Sequence, residues 1–316
     1  MAREKLLIII FILVSTLAYP QKINNTAVFR EIENESYFRL NYDNDFFSAN
    51  DYYYTQGYNL ELVAPKLKYN PLNRVLLHLT DSLRSHSLSF EHFGFTATSI
   101  QSDEILVDDR PFSAVMLIKS SMVSTARARK MRLASTISVG IIGPSTRGGE
   151  MQETIHRWIG GVIPKGWQHQ IQNDFVINYE VDISKQAFTS KFLHLDYNSA
   201  LRIGTLNTRV QSGLTFVLGR YYNTLTAGNR KTQLYLFSQP LMNVVIHDAT
   251  LQGTFFNESP HTIKASHINR FQLQNNFGAI LKTKRMFLEY YQTLLSKEFQ
   301  KGRTHRWGGF KIGFGL

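Results

Sequence analysis

The chain has 316 residues, a formal net charge of +11 and no cysteine. The missing thiols exclude disulfides, thiolate catalysis and a lipidated N-terminal cysteine. The excess of Lys and Arg points to an anionic partner: nucleic acid, phospholipid or lipopolysaccharide. The N-terminus narrows that choice. Met1 to Lys5 carries Arg3 and Lys5, Leu6 to Leu17 is an almost unbroken apolar run, and Ala18 to Pro20 ends it. This is the three-part plan of a secretory signal peptide over residues 1–20, with cleavage expected near Ala18 to Gln21. The rival reading is an anchoring helix, but a span needs roughly 20 apolar residues and the run is shorter. Export of residues 21–316 removes nucleic acid as a partner.

Beyond Gln21 no apolar stretch is long enough for a spanning helix. What recurs is period-2 alternation, the mark of strands with one apolar face. Phe38, Leu40 and Tyr42 alternate with Tyr37, Arg39 and Asn41; Tyr58, Leu60 and Leu62 alternate with Gly57, Asn59 and Glu61. Met131, Leu133, Ile137, Val139 and Ile141 share one parity. Phe175, Ile177, Tyr179, Val181 and Ile183 oppose Asp174, Asn178, Glu180 and Asp182, and Leu193, Leu195, Tyr197, Leu201 and Ile203 oppose His194, Asp196, Asn198 and Arg202. Soluble strands usually run about 5–6 residues, whereas crossing a bilayer takes roughly 9–11. The longer runs, behind a signal peptide, predict a transmembrane barrel with an apolar lipid face and a polar lumen.

The chain ends on an amphipathic strand. Phe310, Ile312, Phe314 and Leu316 take one face, and Gly309, Lys311, Gly313 and Gly315 the other. It resembles the assembly signal of outer-membrane proteins, with Leu316 where Phe is usual. Twelve strand candidates lie near 36–44, 54–64, 86–97, 112–124, 130–142, 168–183, 191–203, 208–219, 231–246, 268–282, 285–297 and 304–316. The fold class expected is all-β, an antiparallel barrel of about twelve strands, an even number as in other single-chain bacterial barrels. An even barrel keeps both termini on the periplasmic side. The outward loops are then 45–53, 98–111, 143–167, 204–207, 247–267 and 298–303.

Three segments look unlike plain barrel: Asp43-Asn44-Asp45-Phe46-Phe47 with Asp51 to Gly57; Asp108 to Ala114; and Gly143 to Gln170, which holds Gly148-Gly149-Glu150-Met151-Gln152 and His156. All three fall in or beside outward loops, which gathers carboxylates, amides and a histidine at one end of the lumen. By parity with Gly57, Asn59 and Glu61, Thr55 should point into that lumen. Each piece has a plainer reading. Asn44–Asp45 makes a turn, Asp109–Arg110 pairs to hold a loop, and Gly143-Pro144 and Gly148-Gly149 are turn chemistry. Together they suit ester hydrolysis. A neutral histidine can take a proton from water. Asn44 and Asp45 offer hard oxygen ligands of the kind that suit Ca²⁺, and a bound cation can polarise an ester carbonyl. Neither Gly-x-Ser-x-Gly nor HExxH occurs.

Asn44–Asp45, Tyr54-Thr55-Gln56-Gly57, Asp109 to Ala114 and the series Gly143-Pro144, Gly148 to Gln152, His156 and Trp167-Gln168-His169-Gln170 together resemble the LpxR-type lipid A 3′-O-deacylases. The resemblance implies a twelve-stranded outer-membrane barrel that hydrolyses the ester-linked 3′ acyl or acyloxyacyl chain of lipid A with Ca²⁺. Its partners would be lipopolysaccharide and outer-membrane lipid, and the expected species is a monomer. Carried over by motif, His156 is the general base, Asn44 and Asp45 hold the cation and orient the oxyanion side, Thr55 lines the site and Gln152 supports it. Arg110, Arg147 and Arg157 are expected to bind the lipid A phosphates. One departure stands out. A family member has an acidic residue six positions after the histidine, and here that position is Val162, with no carboxylate between His156 and Gly166. Glu150 and Glu153 are the nearby stand-ins. A catalytically silent barrel and a pore are the alternative functions.

Overall fold

A computed structural model of the chain describes residues 24–48, 52–222 and 232–316. The expected signal peptide and Asp51 lie outside the described residues. Twelve strands follow in chain order: β1 (Tyr37–Asn44), β2 (Tyr54–Val63), β3 (Leu83–Phe95), β4 (Ser113–Ala126), β5 (Met131–Ile142), β6 (Asp174–Thr189), β7 (Leu193–Gly204), β8 (Asn207–Arg220), β9 (Gln233–Asp248), β10 (Phe271–Lys282), β11 (Met286–Leu295) and β12 (His305–Gly315). Each pairs antiparallel with its neighbour in sequence, and β12 returns to β1, from Phe314 opposite Phe38 to Gly308 opposite Asn44. Closure satisfies the backbone polar groups that an open edge would leave bare in hydrocarbon.

All twelve expected strands exist, and their ends differ from the sequence reading by a few residues, with one exception. β6 begins at Asp174 rather than near 168, because Gly166–His169 coils into a 3-10 turn that buries Trp167 against Phe112. β6 then runs on to Thr189, six residues past the expected end, paired with β7 down to Thr189 opposite His194. Between β5 and β6 the long outward loop folds helix α1 (Gly148–Ile159), and a short helix α2 (Ala249–Gln252) follows β9.

The alternation seen in the sequence is obeyed in the wall. On β1, Arg39, Asn41 and Asp43 are buried in the lumen while Phe38, Leu40 and Tyr42 face out. The lumen is filled by side chains and by the segment that precedes β1. Arg30 forks onto Glu289, its Nε and Nη2 at 2.8 and 2.6 Å from Oε1. Arg39 donates to Glu61 and to the Arg30 carbonyl, and the Tyr235 hydroxyl donates to the Phe29 carbonyl at 2.5 Å. Paired and hydrogen-bonded in this way, the charges tolerate burial. Over the outer mouth, Tyr53, Leu251, Ile263, Ile268 and Phe299 form an apolar cap. Mid-lumen cavities around Arg202, Arg209 and Asn24 measure about 20 Å³, room for a water each, while a larger one of about 410 Å³ opens beside Glu31, Glu61, Ser87 and Arg132. A lumen packed this way argues against the pore reading.

Candidate active site

Low on the wall, the outward positions of β2–β4 are apolar and exposed: Leu60, Leu62, Leu88 and Ile118. Near the outer rim the same parity carries His92, Gly94 and Ala114, and all three are buried. The cover is α1 together with Trp167. A Cβ on Gly148 would stand 2.4 Å from the Ala114 Cβ, and one on Gly149 would stand 2.9 Å from the Trp167 Cγ. Glycine is therefore required for the helix to lie this close to the wall. Gly148-Gly149 is not a turn, as its composition suggested, but the contact face at the start of α1. His92 ties the loop ahead of the helix to the wall, with its Nε2 3.2 Å from the Thr146 carbonyl oxygen and its ring stacked on Tyr58.

Thr55 corrects the parity rule. It is the extra residue of a β-bulge: Tyr54 pairs with Phe95 and Gln56 with Gly94. The bulge turns Tyr54 into the lumen, where its hydroxyl donates to Asp43 Oδ1 at 2.7 Å and its ring stacks on Trp307. Thr55 points outward against Gly94 instead. Bulges re-aim side chains in this way next to functional sites. Gln152 Nε2 donates to Thr55 Oγ1 at 2.8 Å, and Gln152 Oε1 accepts from Trp167 Nε1 at 2.7 Å. The buried Gln152 amide is thus committed on both sides and positions its neighbours. Thr55, Gln152 and Trp167 therefore meet on the lipid-side wall, not in the lumen where the loops were expected to converge.

With Gly148 over β4 and Gln152 at β2, α1 crosses the strands from β4 to β2. His156 lies one further turn along, on the same face as Gln152. Its Nδ1 is 2.5 Å from the Val162 carbonyl oxygen. A carbonyl can only accept, so Nδ1 carries a proton, and the tautomer this bond selects in the neutral ring has its lone pair on Nε2. The chain returns to the ring because α1 ends at Gly160 in the left-handed conformation (φ 69°), with the Gly161 amide donating to the His156 carbonyl at 2.8 Å. Glu150 and Glu153 do not take the place of the absent acid. They pair with Arg147 and Arg157 on the exposed side of the helix.

Asn44 ends β1 one residue past the last β1–β2 pair, Asp43 with Gly57, and so lies beside the Thr55 bulge. Its Oδ1 accepts from the Phe46 amide at 2.8 Å, which orients the side chain. Asp45 is buried and opens the 3-10 turn Asp45–Ser48. These oxygens are of the right kind for a hard cation. They are too few for a full Ca²⁺ shell of 6–8 oxygens, and no group of three His, Cys, Asp or Glu is found among the described residues.

The three arginines expected to bind phosphates part company. Arg110 is buried: it forms an ion pair with Glu298, donates to Thr250 Oγ1 at 2.9 Å and lies 3.8 Å over the Phe95 ring. It latches the outer mouth and is not available to substrate, nor does it pair with Asp109, whose carboxylate accepts from Thr98 and from the Arg110 amide. The backbone donors of a folded loop out-competed the expected pair. Arg147 and Arg157 are exposed. Trp167 was noted in the sequence only as part of a motif, and His92 was missed altogether. The available signal was a break in pattern: His92, Gly94 and Ala114 occupy lipid-facing positions without being large or apolar.

A closed twelve-stranded barrel with an apolar outer belt defines an outer-membrane β-barrel protein. The family model "Outer membrane protein LpxR" matches residues 6–316, and the chain belongs to that family. Among solved structures, LpxR from Salmonella typhimurium superposes with a TM-score of 0.72 at 20% identity, covering 89% of this chain and 100% of that one. The β-domain of the Bordetella autotransporter BrkA reaches a TM-score of 0.45 at 8% identity, over 90% of this chain and 100% of that one. No curated protein sequence matches the chain.

Proposed function

We propose that the protein is a lipid A 3′-O-deacylase that removes an ester-linked acyl or acyloxyacyl chain at the outer rim of its barrel. The observation that carries this reading is His156, an imidazole with a free Nε2 on a helix clamped to the lipid-side wall through Gln152 and Thr55. Nε2 takes a proton from water as the water oxygen bonds to the ester carbonyl carbon. The Val162 carbonyl holds Nδ1–H and steadies the imidazolium that forms, the part an orienting acid plays in other hydrolases. The ester C–O bond then breaks, and the proton on Nε2 passes to the departing alkoxide. Asn44 and Asp45 are the residues that would hold Ca²⁺, which when bound would polarise the ester carbonyl. Arg147 and Arg157, exposed beside Glu150 and Glu153, would turn to the phosphates of lipid A. The protein is proposed to act as a monomer, since a closed barrel has no open edge to pair.

The silent-barrel reading drew its support from Val162. That support weakens once the Val162 main chain is seen to serve His156. The test is mass spectrometry of lipid A incubated with purified protein in Ca²⁺ or in chelator, alongside His156→Ala. Loss of one ester-linked chain in Ca²⁺ alone, and only with the parent protein, is expected. Retention of every chain across several lipid A types would overturn the proposal.

A further inference from the structure

The last turn of α1 and the segment after it present large apolar side chains with nothing over them among the described residues. Trp158 is 81% exposed and Ile159 72%, and Val162 and Ile163 are exposed with them. Across the Thr55 bulge, Phe46 is 80% exposed on the turn that follows Asn44. A soluble loop with these residues would be a liability. Here the surroundings say what covers them. The helix lies on the outside of the wall, and beneath it on β4 the outward file continues through Ala114 to Ile118, 54% exposed and part of the lipid-facing belt. The patch is therefore an upward continuation of a surface whose solvent is acyl chains. Arg157 and Lys165, both exposed, flank it. A Trp with neighbouring cations is the composition of residues at a membrane–water interface, where anionic headgroups meet hydrocarbon.

We propose that Trp158, Ile159, Val162 and Ile163 form an apolar foot that enters the outer leaflet beside His156, and that its occupant is an acyl chain of a leaflet lipid. The first part needs only the barrel's place in the membrane. The second rests on the deacylase reading, in which the occupant is a chain of the lipid A being cleaved. His156 sits between Gln152, which ties the helix to the wall, and Trp158, which ends in the foot. A chain lying along the foot brings its ester end toward the imidazole without leaving hydrocarbon. Trp158 and Ile159 are thus binding residues, and His156 keeps its Val162 hydrogen bond whether the foot is apolar or polar, because that bond uses the main chain.

Trp158 is one of three tryptophans, and the other two, Trp167 and Trp307, are buried. The difference in fluorescence between the parent protein and Trp158→Phe, reconstituted in phospholipid vesicles containing lipid A, therefore reports on Trp158. The expected result is a component quenched by lipids brominated on the acyl chain and shielded from aqueous acrylamide. Quenching by acrylamide with no response to brominated lipid would overturn the foot, whatever the enzyme does. A second arm uses Trp158→Ser/Ile159→Ser. It should fold, raise the apparent KM for vesicle-embedded lipid A several-fold and leave kcat near the parent's. An unchanged KM would overturn the substrate part. If no preparation cleaves lipid A but brominated lipid quenches Trp158, the deacylase reading fails and the foot stands.

Discussion

The lumen and the outer rim of the wall use the same polar residue types to opposite ends. In the lumen Arg, Glu, Asp and Tyr are consumed by one another: Arg30 by Glu289, Arg39 by Glu61, Asp43 by Tyr54 and Tyr291. A buried ion in that setting is stable only while its partners remain, so the network holds the barrel shut and offers nothing to a ligand. On the wall beneath α1 the polar groups are fewer and arranged in series, from Trp167 through Gln152 to Thr55, with His156 a turn beyond. That series stops short of saturation and leaves one imidazole nitrogen free. A polar group is a candidate for chemistry where its hydrogen bonds orient it without exhausting it.

The difference can be broken most sharply at His156. Replacing it with Ala should lower turnover by about 10²–10⁴, the usual contribution of a general base, while the heat-resistant migration of the folded barrel on gels stays unchanged. A parallel loss of folding would return His156 to the structural class. The lumen should behave the other way. Arg110→Ala strips Glu298 of its guanidinium under the apolar cap, and removing one partner of a buried pair costs about 3–5 kcal/mol. Denaturant unfolding in detergent should show that loss, with the rate per folded molecule little altered.

Smaller effects refine the comparison. Gln152→Ala leaves Trp167 Nε1 buried without its acceptor and Thr55 without its donor, a cost of about 1–3 kcal/mol. It should lower both activity and the melting temperature, which neither His156 nor Arg110 variants do together. Val162→Ala should stay within about 0.5 kcal/mol of the parent in stability, as exposed substitutions usually do, and keep its kcat, because the carbonyl is untouched, with any loss confined to KM through the foot. Gly161→Val should not keep its kcat, since its Cβ stands 3.2 Å from His156 Nδ1. Equal kcat values in these two variants would refute the main-chain role. The smallest effect belongs to the exposed loop pair Asp108–Lys301. The Lys301 ammonium, 2.6 Å away, holds the Asp108 carboxyl below the ordinary carboxylate range. Its contribution is present above the ordinary Asp value near 3.9 and is lost as pH falls through the lowered one. Lys301→Met should narrow the difference in melting temperature between neutral and acid pH, and only slightly.

Much of the barrel was legible because a lipid-facing strand has a stringent pattern. Phe38, Leu40 and Tyr42 must face hydrocarbon, so Arg39, Asn41 and Asp43 must face in, and the alternation survives in the raw sequence. The rim was less legible because local events there override parity. One inserted residue at Thr55 reverses the direction of Tyr54 and Thr55, and a hydrogen-bond register is invisible in composition. Arg110 illustrates the same limit. Its sequence neighbour Asp109 was the obvious partner, yet the chain brings Glu298 to it from the loop before β12.

The sequence by itself determined the strand number and the in–out alternation of the wall, since each follows from periodicity along a single chain. Only the tertiary structure decided that α1 lies on the lipid side of the wall, that Gln152 joins Trp167 to Thr55, and that the main chain at Val162 supplies the acceptor for His156. Those are encounters between segments far apart in sequence, or between a side chain and a carbonyl that every residue possesses, and neither leaves a mark in residue type.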